Sequence, residues 1–254
     1  MAIWVTGAAS GIGAALVALL RERGLQIVGV DRVWTDGDSE DRRTCDLSDL
    51  AAVACLAAEW SAQPPEALVN CAGVSDAAPP EMLLSVNFLA PRLLCDALFA
   101  QKRPAAIVHV ASGVAANWRA DAANLLDLVA QPDAALLDRA MAMITPMRPA
   151  YTISKELLCA HATTLAARGS PLGIRVNTAL PGPVDTPLIP QFRATMGEAA
   201  LEWTRAKAGR FGTAREIASA IAFLLSDEAS WISGAELQID GGLRALATIS
   251  PPTF

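Results

Sequence analysis

Short runs of wholly apolar residues alternate with stretches of helical period along nearly the whole chain, and this alternation limits the fold more than any other feature. "AIWV" is followed by the glycine cluster "TGAASGIG". A helical pattern then places Ile12, Leu16, Leu19 and Leu20 on one face and stops at Gly24. "QIVGVD" and the shorter "RRTCDL" read as strands, "LAAVACLAAEW" as a helix, and "EALVNCAG" as a strand entering a turn. The pattern repeats with "MLLSVNFLAPRLLCDALFA" as helix, "AAIVHVAS" as strand, "YTISKELLCAHATTLAARG" as helix and "GIRVNTAL" as strand. "AREIASAIAFLLS" then reads as helix and "GAELQID" as a last strand. Strands apolar on both sides must be covered on both faces. Strand–helix alternation therefore predicts an α/β fold with a parallel sheet between two helical layers. With 254 residues, 53% of them hydrophobic, and no linker or internal repeat, residues 1–254 are expected to form a single domain.

Two segments interrupt the rhythm. Residues 115–149 read as an insertion of extra short helices, "DAANLLDLVAQ" and "DAALLDRAMAMI". Residues 183–210 mix Pro, Gly and charge between apolar anchors and read as a lid.

Gly7, Gly11 and Gly13 fall at the turn between the first strand and first helix. Such a turn lets backbone approach a pyrophosphate, and the helix N-terminus offers it unpaired N–H groups and partial positive charge. Asp31 closes the second strand, where a carboxylate can accept hydrogen bonds from both hydroxyls of an adenosine ribose and repels a 2′-phosphate. NAD is thus favoured over NADP, with Arg32 as the residue that softens the preference. Asp46, after the third strand, either faces the adenine edge or caps the helix starting near Ser48.

Tyr151 is the chain's only tyrosine, although Trp and Phe occur six times each, and it stands one helical turn before Lys155. A phenol is a weak acid, and a neighbouring ammonium favours its ionised form. Tyr151 and Lys155 together make an acid–base group suited to interconverting an alcohol and a ketone. Ser112, just after the fifth strand, is placed to hydrogen-bond a carbonyl oxygen. Asn87 is a polar residue inside an apolar helix and needs a reason, such as a held water or a kinked backbone.

The set "TGAASGIG", Asp31, "NCAG" (70–73), Asn87, Ser112, "YTISK" and "PGPVDT" (181–186) resembles the short-chain dehydrogenase/reductase family along essentially the whole chain. The resemblance implies a Rossmann-type, doubly wound, seven-stranded parallel sheet that binds a nicotinamide cofactor. It implies Tyr151 as catalytic acid/base, Ser112 as the group orienting the substrate oxygen, Lys155 on the nicotinamide ribose lowering the phenol pKa, and Asn87 supporting a proton-relay water. It also implies that Asn70, Ala72 and Gly73 line the cofactor cleft and that Pro181, Gly182, Val184 and Thr186 hold the nicotinamide. Ser10, Ile12 and Leu47 complete the expected cofactor set. Cys71 replaces an Asn more frequent in the motif. The 39 positions from Ser112 to Tyr151 and the tail ending "SPPTF" are most similar to the bacterial 3α-hydroxysteroid dehydrogenase/carbonyl reductase group. The resemblance implies a homodimer or homotetramer, and the insertion, lying just before a helix that commonly packs between subunits, is expected to alter that interface.

Trp118, Leu188, Ile189, Phe192, Met196 and Trp203 are expected to line the substrate pocket. Leu125, Leu126, Met141 and Met143 of the insertion are further candidates. Arg119, Arg148 and Arg193 are the cations that can read an anionic substrate. The apolar balance points to a secondary alcohol or ketone that is cyclic, aromatic or steroid-like. A non-catalytic NAD-binding regulator is the competing reading, opposed by the complete Asn–Ser–Tyr–Lys set; an epimerase or dehydratase is opposed by the short lid. A net charge of −6 argues against nucleic acid and anionic membrane partners. The five cysteines lack CxxC spacing, so reduced thiols in a cytoplasmic protein without a metal site are expected, and His109 and His161 are expected to do no chemistry. No apolar run reads as a bilayer span, and no basic segment precedes the first apolar stretch as in a signal peptide.

Overall fold

The computed structural model describes residues 2–34, 41–103 and 105–249; the "SPPTF" tail lies outside the described residues. β1 (Ile3–Thr6), α1 (Gly11–Glu22), β2 (Ile27–Asp31), β3 (Arg42–Thr44), α2 (Leu50–Ala58) and β4 (Ala67–Asn70) make the first half. Then come α3 (Pro80–Leu84), a π-helical turn at Ser85–Leu89, α4 (Ala90–Ala100), β5 (Ala105–Val110), α5 (Ala122–Val129), α6 (Asp133–Ala142) and α7 (Ala150–Gly169). The chain ends with β6 (Ile174–Pro181), β7 (Val184–Asp185), α8 (Ile189–Met196), α9 (Glu198–Ala208), β8 (Gly212–Thr213), α10 (Ala214–Leu225), β9 (Glu236–Ile239) and α11 (Leu243–Ile249).

Seven strands form one parallel sheet in the order β3-β2-β1-β4-β5-β6-β9. The apolar runs are explained by two buried faces. Val5, Val69 and Val108 pack with Leu16 of α1 and Ile221 of α10, while Leu68, Ile107 and Val176 pack with Leu94 of α4 and Leu165 of α7 on the other side. Each such side chain contributes about 1.5–3 kcal/mol of burial. The chain works outward from β1 to β3, then crosses back to β4 and works outward the other way. That reversal opens a crevice at the carboxyl ends of β1 and β4.

The insertion is part of the core. Leu125, Leu128 and Leu136 from α5 and α6 are fully buried against Ile153 and Leu157 of α7. Arg148 ties the packing together, with ion pairs to Asp121 at 2.8 Å and to Glu156 of α7 at 2.7 Å. α7 is thus enclosed by the sheet on one side and the insertion on the other.

One expectation changes. The unbroken helical stretch Pro80–Ala100 is long and apolar enough to cross a membrane by length and composition. About two-thirds of its most apolar 18-residue window is buried inside this fold, as in the core helix of a globular domain.

Candidate active site

The glycine turn folds tightly beneath the crevice. Gly7 has φ of +69°, and a Cβ there would stand 2.8 Å from the Ala72 Cα; a Cβ on Gly13 would stand 2.0 Å from the Gly7 carbonyl oxygen. Only glycines let the two strand ends and the first helix close to these distances. Thr6 pins the same junction, its hydroxyl accepting from the Cys71 and Ala72 amides at 3.0 and 3.1 Å. Ser10 precedes α1 as its N-cap without a side-chain capping bond, and the first turn holds no acidic residue, so the helix's first N–H groups face the crevice unclaimed.

A cavity of about 400 Å³ opens there. Gly7, Ser10, Gly11, Ile12, Gly13, Asp31, Arg32, Asp46, Leu47, Ala72, Gly73 and Thr186 all line it. Asp31 is aimed by the backbone, its carboxylate accepting from Ala9 N at 2.9 Å and Arg32 N at 2.8 Å. Asp46 is not the helix cap. Asp49 caps α2 through Ala51 N and Ala52 N, while Asp46 turns back to accept from the Ser48 amide and hydroxyl. A glycine cradle, an uncapped helix N-terminus and a carboxylate on the rim fit a nicotinamide dinucleotide.

Asn70 departs from expectation. Its side chain is buried on the α4 side of β4, its amide nitrogen 3.2 Å from His109 Nδ1 and 3.5 Å from Cys95 Sγ, and it is not among the residues lining the cleft. The side-chain alternation of a strand sends it below the sheet. His109 and His161 lie beside it in the core, and burial pushes His109 down to about 3, so it stays neutral. Among the described residues no His, Cys, Asp and Glu cluster could hold a metal.

A second cavity of about 430 Å³ shares Ile12, Cys71, Gly73, Thr186 and Leu188 with the first, so the two form one cleft. Ser112, Tyr151 and Lys155 form its floor, and Pro181, Gly182 and Val184 one side. Ser112 lies in the same floor as the Tyr151 phenol, and the Phe192 ring meets Tyr151 edge-on at 5.2 Å. The Lys155 ammonium lies 5.5 Å from the centre of the Tyr151 ring and donates to the Val110 carbonyl at 2.9 Å. Burial pushes the phenol up to about 12, opposed by the nearby Ser112 hydroxyl; burial likewise brings Lys155 down to about 8. The expected lowering of the phenol by Lys155 does not enter the balance here. Desolvation dominates, and the ammonium is engaged with a carbonyl.

Asn87 stands behind this floor, in the π turn between α3 and α4. Its Oδ1 accepts from Val74 N at 2.8 Å, and its Nδ2 donates to Val74 O at 3.0 Å and Ser154 Oγ at 3.1 Å. A Cβ on Gly73 would lie 3.4 Å from both Asn87 Oδ1 and Lys155 Nζ, which places glycine, amide and ammonium at one point.

Leu188, Ile189, Phe192 and Trp203 line the second cavity; the Met196 side chain lies outside the described residues. Trp118 does not line it. It is buried in the insertion's core with its indole N–H donating to Glu236 at 2.7 Å. Leu125 is likewise core. Arg119, Arg148 and Arg193 are each paired with a carboxylate: Glu236, Asp121 and Glu156, and Glu198 respectively. The sequence reading missed Leu201, Thr204 and the inner face of α11, including Leu243, Arg244 and Ala247. The signal for α11 was the leucine and alanine spacing after "IDGG".

The chain is 31% identical over 253 residues to a coniferyl-alcohol dehydrogenase of Pseudomonas sp., covering 96% of each chain. It is 32% identical over 265 residues to the 3-alpha-hydroxysteroid dehydrogenase/carbonyl reductase of Comamonas testosteroni, again over 96% of each.

The chain belongs to the short-chain dehydrogenase/reductase family.

A family model described as enoyl-(acyl carrier protein) reductase matches residues 135–244. The 3-alpha-hydroxysteroid dehydrogenase of Pseudomonas sp. B-0831, solved in complex with NADH, superposes over 100% of both chains with a TM-score of 0.81 at 32% identity. As a short-chain dehydrogenase/reductase, the protein is a nicotinamide-dependent oxidoreductase, and the cleft described above is where such a cofactor fits.

Proposed function

We propose that the protein interconverts an apolar secondary alcohol and its ketone using NAD(H), with Tyr151 as the acid–base group. The observation that carries this reading is that Tyr151, Ser112 and Lys155 line one cavity at the point where the cofactor-sized cavity meets an apolar one. Bound nicotinamide would supply or accept the hydride. A substrate oxygen held by both hydroxyls is oriented with its carbon toward the shared part of the cleft. In reduction the Tyr151 hydroxyl donates its proton to that oxygen; in oxidation the phenolate takes it back. Ser112 stabilises the oxygen by a second hydrogen bond. The Lys155 ammonium supplies positive charge beneath the site, and Asn87 holds the surrounding backbone in place.

Asp31 supports the choice of NAD, since a carboxylate on the ribose rim opposes an added 2′-phosphate. Leu188, Ile189, Phe192, Leu201, Trp203 and Leu243 support a ring-bearing substrate of cyclic, aryl or steroid type. Enclosure of α7 by the insertion supports a homodimer that uses a face other than α7; a sizing experiment returning a tetramer packed through α7 would end that part of the reading.

The test is absorbance of reduced nicotinamide, with wild type and Tyr151→Phe, NAD and NADP, and cyclohexanol, aryl carbinols and steroid alcohols. Turnover with NAD that disappears in the variant is expected. A flat trace for the wild type while NADH binds tightly would favour a binding protein without this chemistry.

A further inference from the structure

The loop after β4 is held by three sets of side-chain contacts, and each grips a different part of the site. Val74 is clamped through both its backbone groups by Asn87. Ser75, fully buried, donates to Gln191 of the lid helix α8 at 2.8 Å. Asp76 accepts the Tyr151 backbone N–H at 2.9 Å, across 75 residues of sequence.

The last contact falls on a helix end that lacks its own cap. α7 follows Pro149, which offers no capping side chain, and the first N–H groups of a helix have no partner within it. A carboxylate there satisfies one orphan donor and complements the positive end of the helix. The donor that it satisfies belongs to the residue whose phenol meets the substrate oxygen.

We propose that Asp76 is a positioning residue for Tyr151, holding the first turn of α7 against the cofactor-side loop so that the phenol stays aligned with Ser112. The inference rests on the reading of Tyr151 as the acid–base group. The groups that face the phenol are Ser112 from beyond β5, Lys155 from α7 and Asp76 from this loop, while α8 presents the uncharged Phe192. Of these, Asp76 adds to burial in raising the phenol, so its charge and its hydrogen bond have separable effects. Because Val74 lines the cofactor cavity, the same short loop joins cofactor cleft, lid and acid–base helix.

The experiment compares wild type, Asp76→Asn, Asp76→Ala and Tyr151→Phe. Each is assayed with NAD and whichever alcohol of the panel above the wild type oxidises fastest, across pH, beside NADH binding and thermal melts. Asp76→Ala loses the tether, and a misplaced phenol lowers kcat roughly 10- to 100-fold, with a much smaller change in NADH affinity. Asp76→Asn still offers an acceptor oxygen and recovers kcat to within about fivefold of wild type, the margin between a charged and a neutral acceptor.

The sign of the pH effect follows from the lost charge. Oxidation needs the phenolate, so its rate rises with pH through the phenol's ionisation; removing the carboxylate eases that ionisation and moves the rise to lower pH. A purely structural role would leave the profile of Asp76→Asn in place. An unmoved profile, or full kcat in Asp76→Ala, overturns the proposal. If Asp76→Ala fails to fold, the Asp76→Asn profile decides. Full activity in Tyr151→Phe would instead remove the acid–base reading and this inference with it.

Discussion

Replacing Asn87 by Ala tests whether one buried amide sets the shape of the site. Asn87 is fully buried and makes three hydrogen bonds, two to the Val74 backbone and one to Ser154. The alanine variant removes all three and leaves the Val74 N–H and C=O without side-chain partners. Net worth is about 1 kcal/mol per bond, and more where a partner is left unpaired, so the sum is about 2–4 kcal/mol after partial relaxation. In a domain of this size each kcal/mol lowers Tm by about 2–4 °C, which predicts a fall of roughly 5–15 °C. Loss of the anchor also frees the π turn to rewind as ordinary helix and loosens Val74 at the cofactor cavity. Calorimetry with amide hydrogen exchange is the assay, with faster exchange expected at Val74. A fall under about 2 °C with unchanged exchange would mean that Asn87 merely fills space and that the π turn has another cause.

Asp31→Ala removes the rim carboxylate and is expected to lower the NAD-to-NADP ratio of kcat/KM by about tenfold or more; an unchanged ratio would shift cofactor choice elsewhere. Trp118→Phe deletes the indole bond to Glu236 and is expected to cost about 1–2 kcal/mol by denaturant unfolding while leaving KM alone, because Trp118 is core; a large KM change would return it to the pocket. Lys155→Met tests the buried ammonium. Its folded pKa of about 8 lies below the ordinary lysine value of 10.5, so the unfolded chain binds more protons between those values. Wild type should therefore gain stability relative to Lys155→Met as pH rises from about 8 toward 10.5, and a flat or falling difference would contradict the burial.

The architecture was legible because it rests on local signals. Apolar runs such as "AIVHV", short, rich in β-branched residues and alternating with helical patterns, read as buried strands in a sheet covered twice. The two short helices of the insertion were legible for the same reason. What they cover was not: Trp118 and Leu125 look alike as pocket lining or as core until α7 supplies the partner. Asn70 was misjudged because a motif position conveys proximity to the cleft, whereas the strand's alternation decides the face. The need for an explanation at Asn87 was visible in its polarity, but the π turn required knowing where Val74 lies. The phenol's upward shift was hidden because sequence spacing shows Lys155 nearby without showing that its proton points at Val110.

The enclosed phenol has a use beyond mechanism. With Tyr151 the sole tyrosine, and buried between Phe192 and Ser112, any signal peculiar to tyrosine comes from one atom group at the reactive point of the cleft. A ring-labelled tyrosine incorporated during expression would give a single set of resonances with nothing to assign. Cofactor docking, lid movement and proton transfer would each be read from that set, in the unaltered protein, without a reporter group attached.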